Sequence, residues 1–143
     1  EMSAAGVRVE VDVADAVPDV MLDESQVRQC LLNLLRNARE AMELARVSDP
    51  VIRVRVRGDD ARGGATVEVC DAGPGLPEEA QQHLFELFFT TKSRGTGLGL
   101  PLTREIITAH GGAIEADRAP PEHGGGARFT IWFPAASDAA KEA

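Results

Sequence analysis

Apolar and charged residues alternate strictly from Val7 to Val13 (VRVEVDV), a period of two that predicts a half-buried β-strand. Pro18 ends that run. Asp23 and Gln26 then stand three apart, the spacing of a capping box. Val27, Leu31, Leu34, Leu35, Ala38 and Met42 follow at helical spacing, so one long helix is expected from about Glu24 to Arg46, ended by Ser48-Asp49-Pro50. VIRVRVRG (Val51 to Gly58) puts Val54 and Val56 on one face of a strand and Arg53, Arg55 and Arg57 on the other. DDARGG reads as a turn and ATVEVCD as the next strand. Pro77, Glu78 and Glu79 open a short helix that ends near HLFELFF. A second substantial helix covers roughly Leu98 to His110; Gly111 and Gly112 stop it, and Pro101 is tolerated in its first turn. AIEAD and ARFTIWF form the last two strands, joined by RAPPEHGGG. Strands and helices interleaved over a single sheet predict a two-layer α/β sandwich.

The length of 143 residues makes this one domain, 1–143, with 136–143 reading as a frayed polar tail. A formal net charge of −8 argues against nucleic acid or an anionic membrane as the main partner. It leaves room for one phosphorylated ligand, which needs only a few local donors. In so acidic a chain, the arginines of VIRVRVRG read as the solvated face of a sheet rather than a stripe for an acidic partner. Cys30 and Cys70 form no C-x-x-C pair and read as buried thiols. With no apolar run of membrane-spanning length and no signal peptide at EMSAAGVRVE, a cytoplasmic location is expected, either for the chain or for the part of a larger protein that it represents.

Three clusters could carry chemistry. In LLNLLRNAREAM, Asn33 and Asn37 are four apart on one helix face with Arg36 beside them. Burying an amide without a partner costs ~1–3 kcal/mol. The pair therefore either bridges neighbouring backbone or meets a polar ligand. In VCDAGPGL, strand alternation sends Asp71 to the same side as Val67 and Val69, while Gly73 and Gly75 let the backbone turn. Asp71 could accept from an exocyclic amine such as that of adenine; alone, D-x-G-x-G could equally be a turn. In FFTTKSRGTGLGL, Thr90, Thr91, Lys92, Ser93 and Arg94 bring hydroxyls and cations, and Gly95, Gly97 and Gly99 bring bare N–H groups to a helix start, a favourable place for phosphate. Neither G-x-G-x-x-G after a strand nor G-x-x-x-x-G-K-[ST] occurs.

The order of NLLRNAREAM, DAGPGL, FELFFTTK and GTGLGL resembles the N, G1, F and G2 boxes of the ATP-binding catalytic domain of sensor histidine kinases. That domain belongs to the wider Bergerat-fold group shared with gyrase, Hsp90-type chaperones and mismatch-repair ATPases. The FFTTK and NLLRNA forms look most like the nitrogen- and oxygen-sensing kinases, and the resemblance covers nearly the whole chain. It implies a mixed five-stranded sheet with helices on one face, and ATP with Mg²⁺ held between helix, loop and lid. Asn37 would ligand Mg²⁺, with Asn33 nearby and Arg36 at the nucleotide. Asp71 would take the adenine amine in a pocket shaped by Gly73, Gly75 and Leu76. Phe85, Phe88 and Phe89 would anchor a lid, mobile until a triphosphate orders it, that Thr91 and Lys92 close toward the phosphates. Gly95, Thr96, Gly97, Leu98 and Gly99 would cradle those phosphates. Ala127 stands where the family often has Thr, which puts one polar contact near the base in question. Gyrase-type ATPases carry a water-activating glutamate in this box, whereas here Arg36 precedes Asn37.

The function implied is transfer of the γ-phosphate to a histidine on the kinase's own helical dimerisation and phosphoacceptor domain, with Asn37 and Lys92 as catalytic groups and a response regulator acting downstream. His83, His110 and His123 lack the acidic-flanked helical setting of an acceptor and read as surface or capping residues. Neither nucleic acid nor direct membrane contact is expected, and the isolated domain should be a monomer. The competing readings are a non-catalytic nucleotide-binding regulatory module and a stand-alone ATPase; Arg36 speaks against the second.

Overall fold

A computed structural model describes residues 6–81, 83–86 and 99–136, apart from the side chain of Glu79. In chain order its elements are β1 (Arg8–Val13), α1 (Glu24–Leu44), β2 (Val51–Gly58), β3 (Ala65–Cys70), α2 (Glu78–Gln81), α3 (Gly99–Ala109), β4 (Ala113–Arg118) and β5 (Ala127–Phe133). A 3₁₀ turn, Pro121–His123, lies between the last two strands. The five strands form one mixed sheet in the order β1-β2-β3-β5-β4. β1 runs parallel to β2, and the other neighbours are antiparallel.

Local chemistry sets the ends of the two main helices. Asp23 takes an extended backbone before α1 and its Oδ1 accepts from the Gln26 N–H at 3.0 Å, satisfying a donor that the first turn cannot. After α3, the Gly111 N–H donates to the Thr108 carbonyl and the Gly112 N–H to that of Ile107. That pairing is a Schellman ending, and Gly111 supplies its left-handed residue at φ 78°.

The register gives the sheet two unlike faces. Ile52, Val54 and Val56 lie beside Val69 and Val67, which lie beside Phe129 and Ile131, and these beside Ala116 and Ile114. On this apolar face α1 rests over β2 and β3, and α3 over β4. Val27, Cys30, Leu34, Ala38 and Met42 of α1 are buried there with Ile52, Val69, Ile107, Phe129 and Ile131. The opposite face carries the charged residues.

The half-buried strand expected at Val7–Val13 is corrected by this layout. Val7 is buried, but Val9, Val11 and Val13 on the same side are 37%, 64% and 59% exposed. β1 is an edge strand beyond the area that α1 and α3 cover. Alternation supplied an apolar face, and the helices did not reach it.

Candidate nucleotide site

Asp71 follows the last residue of β3 and is only 3% exposed. Its backbone continues the sheet: its N–H donates to the Ala127 carbonyl at 3.0 Å, and its own carbonyl accepts from the Gly126 N–H at 3.0 Å. The side chain turns inward, and Oδ1 accepts from the N–H groups of Gly73 at 2.9 Å and Ala127 at 3.1 Å. Burial pushes this carboxyl above its ordinary range, and the two backbone donors pull it partly back. Ala127 has no hydroxyl, yet its backbone N–H is one of the two groups that fix the carboxylate.

The turn opposite is built to let Asp71 sit there. A Cβ at Gly126 would lie 2.1 Å from Asp71 Oδ1 and 2.6 Å from its carbonyl oxygen. No side chain fits at that position. Arg118, at the end of β4, donates from Nη1 to the Gly125 carbonyl at 3.0 Å. Its guanidinium also lies 3.0 Å from where a Gly75 Cβ would be, so it braces the loop that Gly75 turns with φ 82°. Leu76 packs against the core beyond it.

Helix α1 passes over this loop with its polar face toward it. A Cβ at Gly73 would stand 3.4 Å from the Cβ of Ala41, one helical turn beyond Asn37 and on the same side. One turn before Asn37, the amide nitrogen of Asn33 donates to the Gly99 carbonyl at 3.1 Å and to Thr103 Oγ1 at 3.2 Å. Thr103 is fully buried and its hydroxyl donates to the same Gly99 carbonyl at 2.9 Å. Asn37, half-buried, therefore lies between the Asp71 loop on one side and the start of α3 on the other. Arg36 is exposed. Asp71 and Thr103 are the buried polar side chains among the described residues, and both belong to this region.

Of the residues expected at a nucleotide, the fold brings Asn33, Asn37, Asp71, Gly73, Gly75, Leu76 and Gly99 to one end of the α1–α3 layer. Phe88, Thr91, Lys92, Gly95, Thr96, Gly97 and Leu98 lie outside the described residues, as does Phe89. Phe85 packs against the core beneath the Arg104 guanidinium, 5.9 Å from its ring centroid. Sequence reasoning missed Thr103, Arg118 and the backbone roles of Gly126 and Ala127; the glycine run Gly124–Gly126 was the one available signal. Magnesium would meet Asn33 at its amide oxygen, since an amide nitrogen is a donor only, and here that nitrogen donates to α3.

Several other polar groups among the described residues have partners of their own. Arg53 pairs with Glu10 at 3.5 Å, Arg55 with Glu68 at 3.6 Å and Arg57 with Asp12 at 3.7 Å, so the arginine row is a self-neutralised sheet face. His110 caps: its Nε2 accepts from the Asp23 N–H at 3.0 Å and its other ring nitrogen is 2.8 Å from the Ile106 carbonyl. His83 is an exposed partner of Glu86. His123 is half-buried in the last turn of the 3₁₀ helix, with Nδ1 3.3 Å from Arg55 Nη1. Both cysteines are free and fully buried. A cavity of about 620 Å³ opens on the charged face over β4 and β5, not at Asp71; Arg128, which lines it, is held by Asp117. Among the described residues no helix is long and apolar enough to cross a membrane.

Comparison with known proteins places this geometry. Residues 22–137 match the model of the family described as histidine kinase-, DNA gyrase B- and HSP90-like ATPase. The chain is 40% identical over 119 residues to sensor protein FixL of Bradyrhizobium diazoefficiens, covering 83% of this chain and 22% of that protein. It is 36% identical over 149 residues to sensory histidine kinase/phosphatase NtrB of Rhizobium leguminosarum bv. phaseoli, covering 97% of this chain and 38% of that one. The chain thus spans well under half the length of these relatives. Among solved structures, full-length ShkA in complex with AMPPNP superposes with a TM-score of 0.75 at 28% identity, over 93% of this chain and 26% of that one.

Proposed function

Since the chain belongs to the family of histidine kinase-, DNA gyrase B- and HSP90-like ATPases and aligns along its length with sensor histidine kinases, we propose that it binds Mg-ATP and presents the γ-phosphate to a histidine on a separate helical domain of the same kinase. The observation that carries the reading is Asp71, a buried carboxylate held at the floor of a loop by two backbone donors. Both bonds fall on Oδ1, and Oδ2 is the oxygen that would accept from the adenine amine. Guanine presents a carbonyl at that position, so the site should prefer ATP and ADP to GTP.

The residues around the site fit the rest of the nucleotide. The donors on the Asn33–Asn37 face of α1 are amide oxygens, hard ligands of the kind magnesium takes. Asn37 would hold the ion, which when bound neutralises phosphate charge. The start of α3 at Gly99 offers N–H groups and a favourable dipole to phosphate, and Asn33 with Thr103 fixes that start against α1. Lys92 and Thr91 would close on the phosphates, with Gly95, Thr96, Gly97 and Leu98 leading into α3. The ShkA structure, solved in complex with AMPPNP, supports a nucleotide ligand.

Transfer is favoured over hydrolysis because no carboxylate lies between Asn33 and Asn37 on α1 to activate a water. The chain's part in the reaction is positioning and charge neutralisation. The acceptor histidine would come from the kinase's dimerisation domain, and a response regulator would take the phosphate onward. Calorimetry with ATP, ADP and GTP, with and without magnesium, tests the binding step: saturable, magnesium-dependent ATP binding is expected, and equal ATP and GTP affinity would refute base recognition by Asp71.

A further inference from the structure

On the charged face of the sheet, behind Asp71, three donor side chains of different chemistry converge. A carboxylate oxygen of Glu68, the Cys70 sulfur and a ring nitrogen of His123 all lie within 4.8 Å of one another. Glu68 and Cys70 alternate along β3, while His123 arrives from the 3₁₀ turn between β4 and β5. Glu68 Oε1 is buried and makes no hydrogen bond among the described residues; its charge partner is the Arg55 guanidinium, 3.6 Å away. A cavity of about 280 Å³ lies beside the cluster, lined by Arg55 and His123, and Glu68 lines a second one of about 620 Å³.

We infer that Glu68, Cys70 and His123 form a site for a borderline-soft divalent cation of the zinc class. A mixed sulfur, nitrogen and oxygen set suits zinc and cobalt and does not suit magnesium or calcium. In a tetrahedral site with bonds of ~2.0–2.3 Å, ligand atoms stand ~3.3–3.8 Å apart, so contraction by about 1 Å through side-chain rotation completes the shell. Water fills the fourth position, and the thiol proton of Cys70 leaves to solvent as the metal–sulfur bond forms.

The group that competes is Arg55. Its Nη1 lies 3.3 Å from His123 Nδ1 and 3.6 Å from Glu68 Oε1, so in the metal-free chain a guanidinium stands in the cation's place. The neighbouring arginines are otherwise committed, Arg128 to Asp117 and Arg53 to Glu10. Displacing one side chain is therefore the cost of binding. The site also adjoins the Asp71 loop through the chain: Cys70 precedes Asp71, and His123 precedes the Gly124–Gly126 turn whose last N–H holds the Asp71 carbonyl.

Titration of the purified chain with cobalt(II) reads the thiolate directly, through a sulfur-to-cobalt charge-transfer band in the near ultraviolet. The wild type should saturate at one metal per chain with that band, and excess zinc should abolish it. Cys70→Ser should lose the band and Cys30→Ser should keep it. Glu68→Gln and His123→Ala, both at partly exposed positions that tolerate substitution, should weaken cobalt by about ten-fold or more. Arg55→Ala should tighten it. A wild-type chain with no thiolate band would make Arg55 the permanent counter-ion and overturn the site, as would a band that survives Cys70→Ser or weaker binding in Arg55→Ala.

Discussion

Replacing Asp71 by asparagine keeps the side chain's shape and removes its charge, which separates the residue's structural job from its part in base recognition. The amide oxygen can still accept from the N–H groups of Gly73 and Ala127, now at 2.9 and 3.1 Å from Oδ1. The structural bonds survive as neutral ones, each weaker by ~1 kcal/mol than a bond to a charged acceptor. Against that loss stands relief from burying a carboxylate. Burial lifts the Asp71 carboxyl above its ordinary 3.8, so the folded chain holds a proton over a pH window in which the unfolded chain does not. Stability therefore falls as pH rises from the ordinary carboxylate value through the folded one, and the loss persists at neutral pH. Asparagine does not titrate, so Asp71→Asn should gain on the wild type as pH rises through that window. Binding should move the other way. Oδ2 gives way to an NH₂ that faces the adenine amine donor to donor, and losing a charged hydrogen bond of ~1.5–3 kcal/mol weakens ATP by about ten- to a hundred-fold. Asp71→Ala is the poorer probe, because it leaves two buried N–H groups unpaired at ~1–3 kcal/mol each. Urea unfolding across an acid-to-neutral pH series measures the first effect and calorimetry the second. Unchanged ATP affinity in Asp71→Asn, or a stability deficit that widens with rising pH, would refute the reasoning.

Asn37→Ala should remove the magnesium dependence of nucleotide binding while leaving the fold intact, and in the full kinase it should abolish phosphotransfer; wild-type transfer rates would exclude a metal role. Gly126→Ala should cost at least ~2–3 kcal/mol and most nucleotide affinity, because its Cβ would meet Asp71 at 2.1 Å. Gly63→Ala is the control: it has a positive φ of 79° but open space around its Cβ, so thermal unfolding should show only the ~1 kcal/mol backbone term. The isolated chain should bind ATP without labelling itself on histidine, since His110 is engaged between Asp23 and Ile106 and His83 with Glu86. Adding the matching acceptor domain as a separate polypeptide should produce acid-labile phosphate on that domain; label on this chain alone would contradict the assignment.

Local periodicity was enough to delimit the elements. The Asp23 cap and the spacing from Val27 to Met42 located α1 to within a turn, and alternation located β2 and β5 to the residue, because capping and pleating are decided by neighbours in sequence. Alternation also aimed Asp71 at the apolar side before any partner was known. The identity of the partners was another matter. That the Asn33 nitrogen is spent on Gly99 and Thr103, 66 and 70 positions away, depends on α1 and α3 packing side by side. That the Ala127 N–H donates to Asp71 Oδ1 depends on β5 lying next to β3 in the sheet order. The same order brings His123 over Glu68 and Cys70. It also leaves β1 at an edge, where Val11 and Val13 keep an apolar pattern yet stand 64% and 59% exposed. A pattern in the chain states which side of an element avoids water; only the assembled layers determine whether another element is there to cover it.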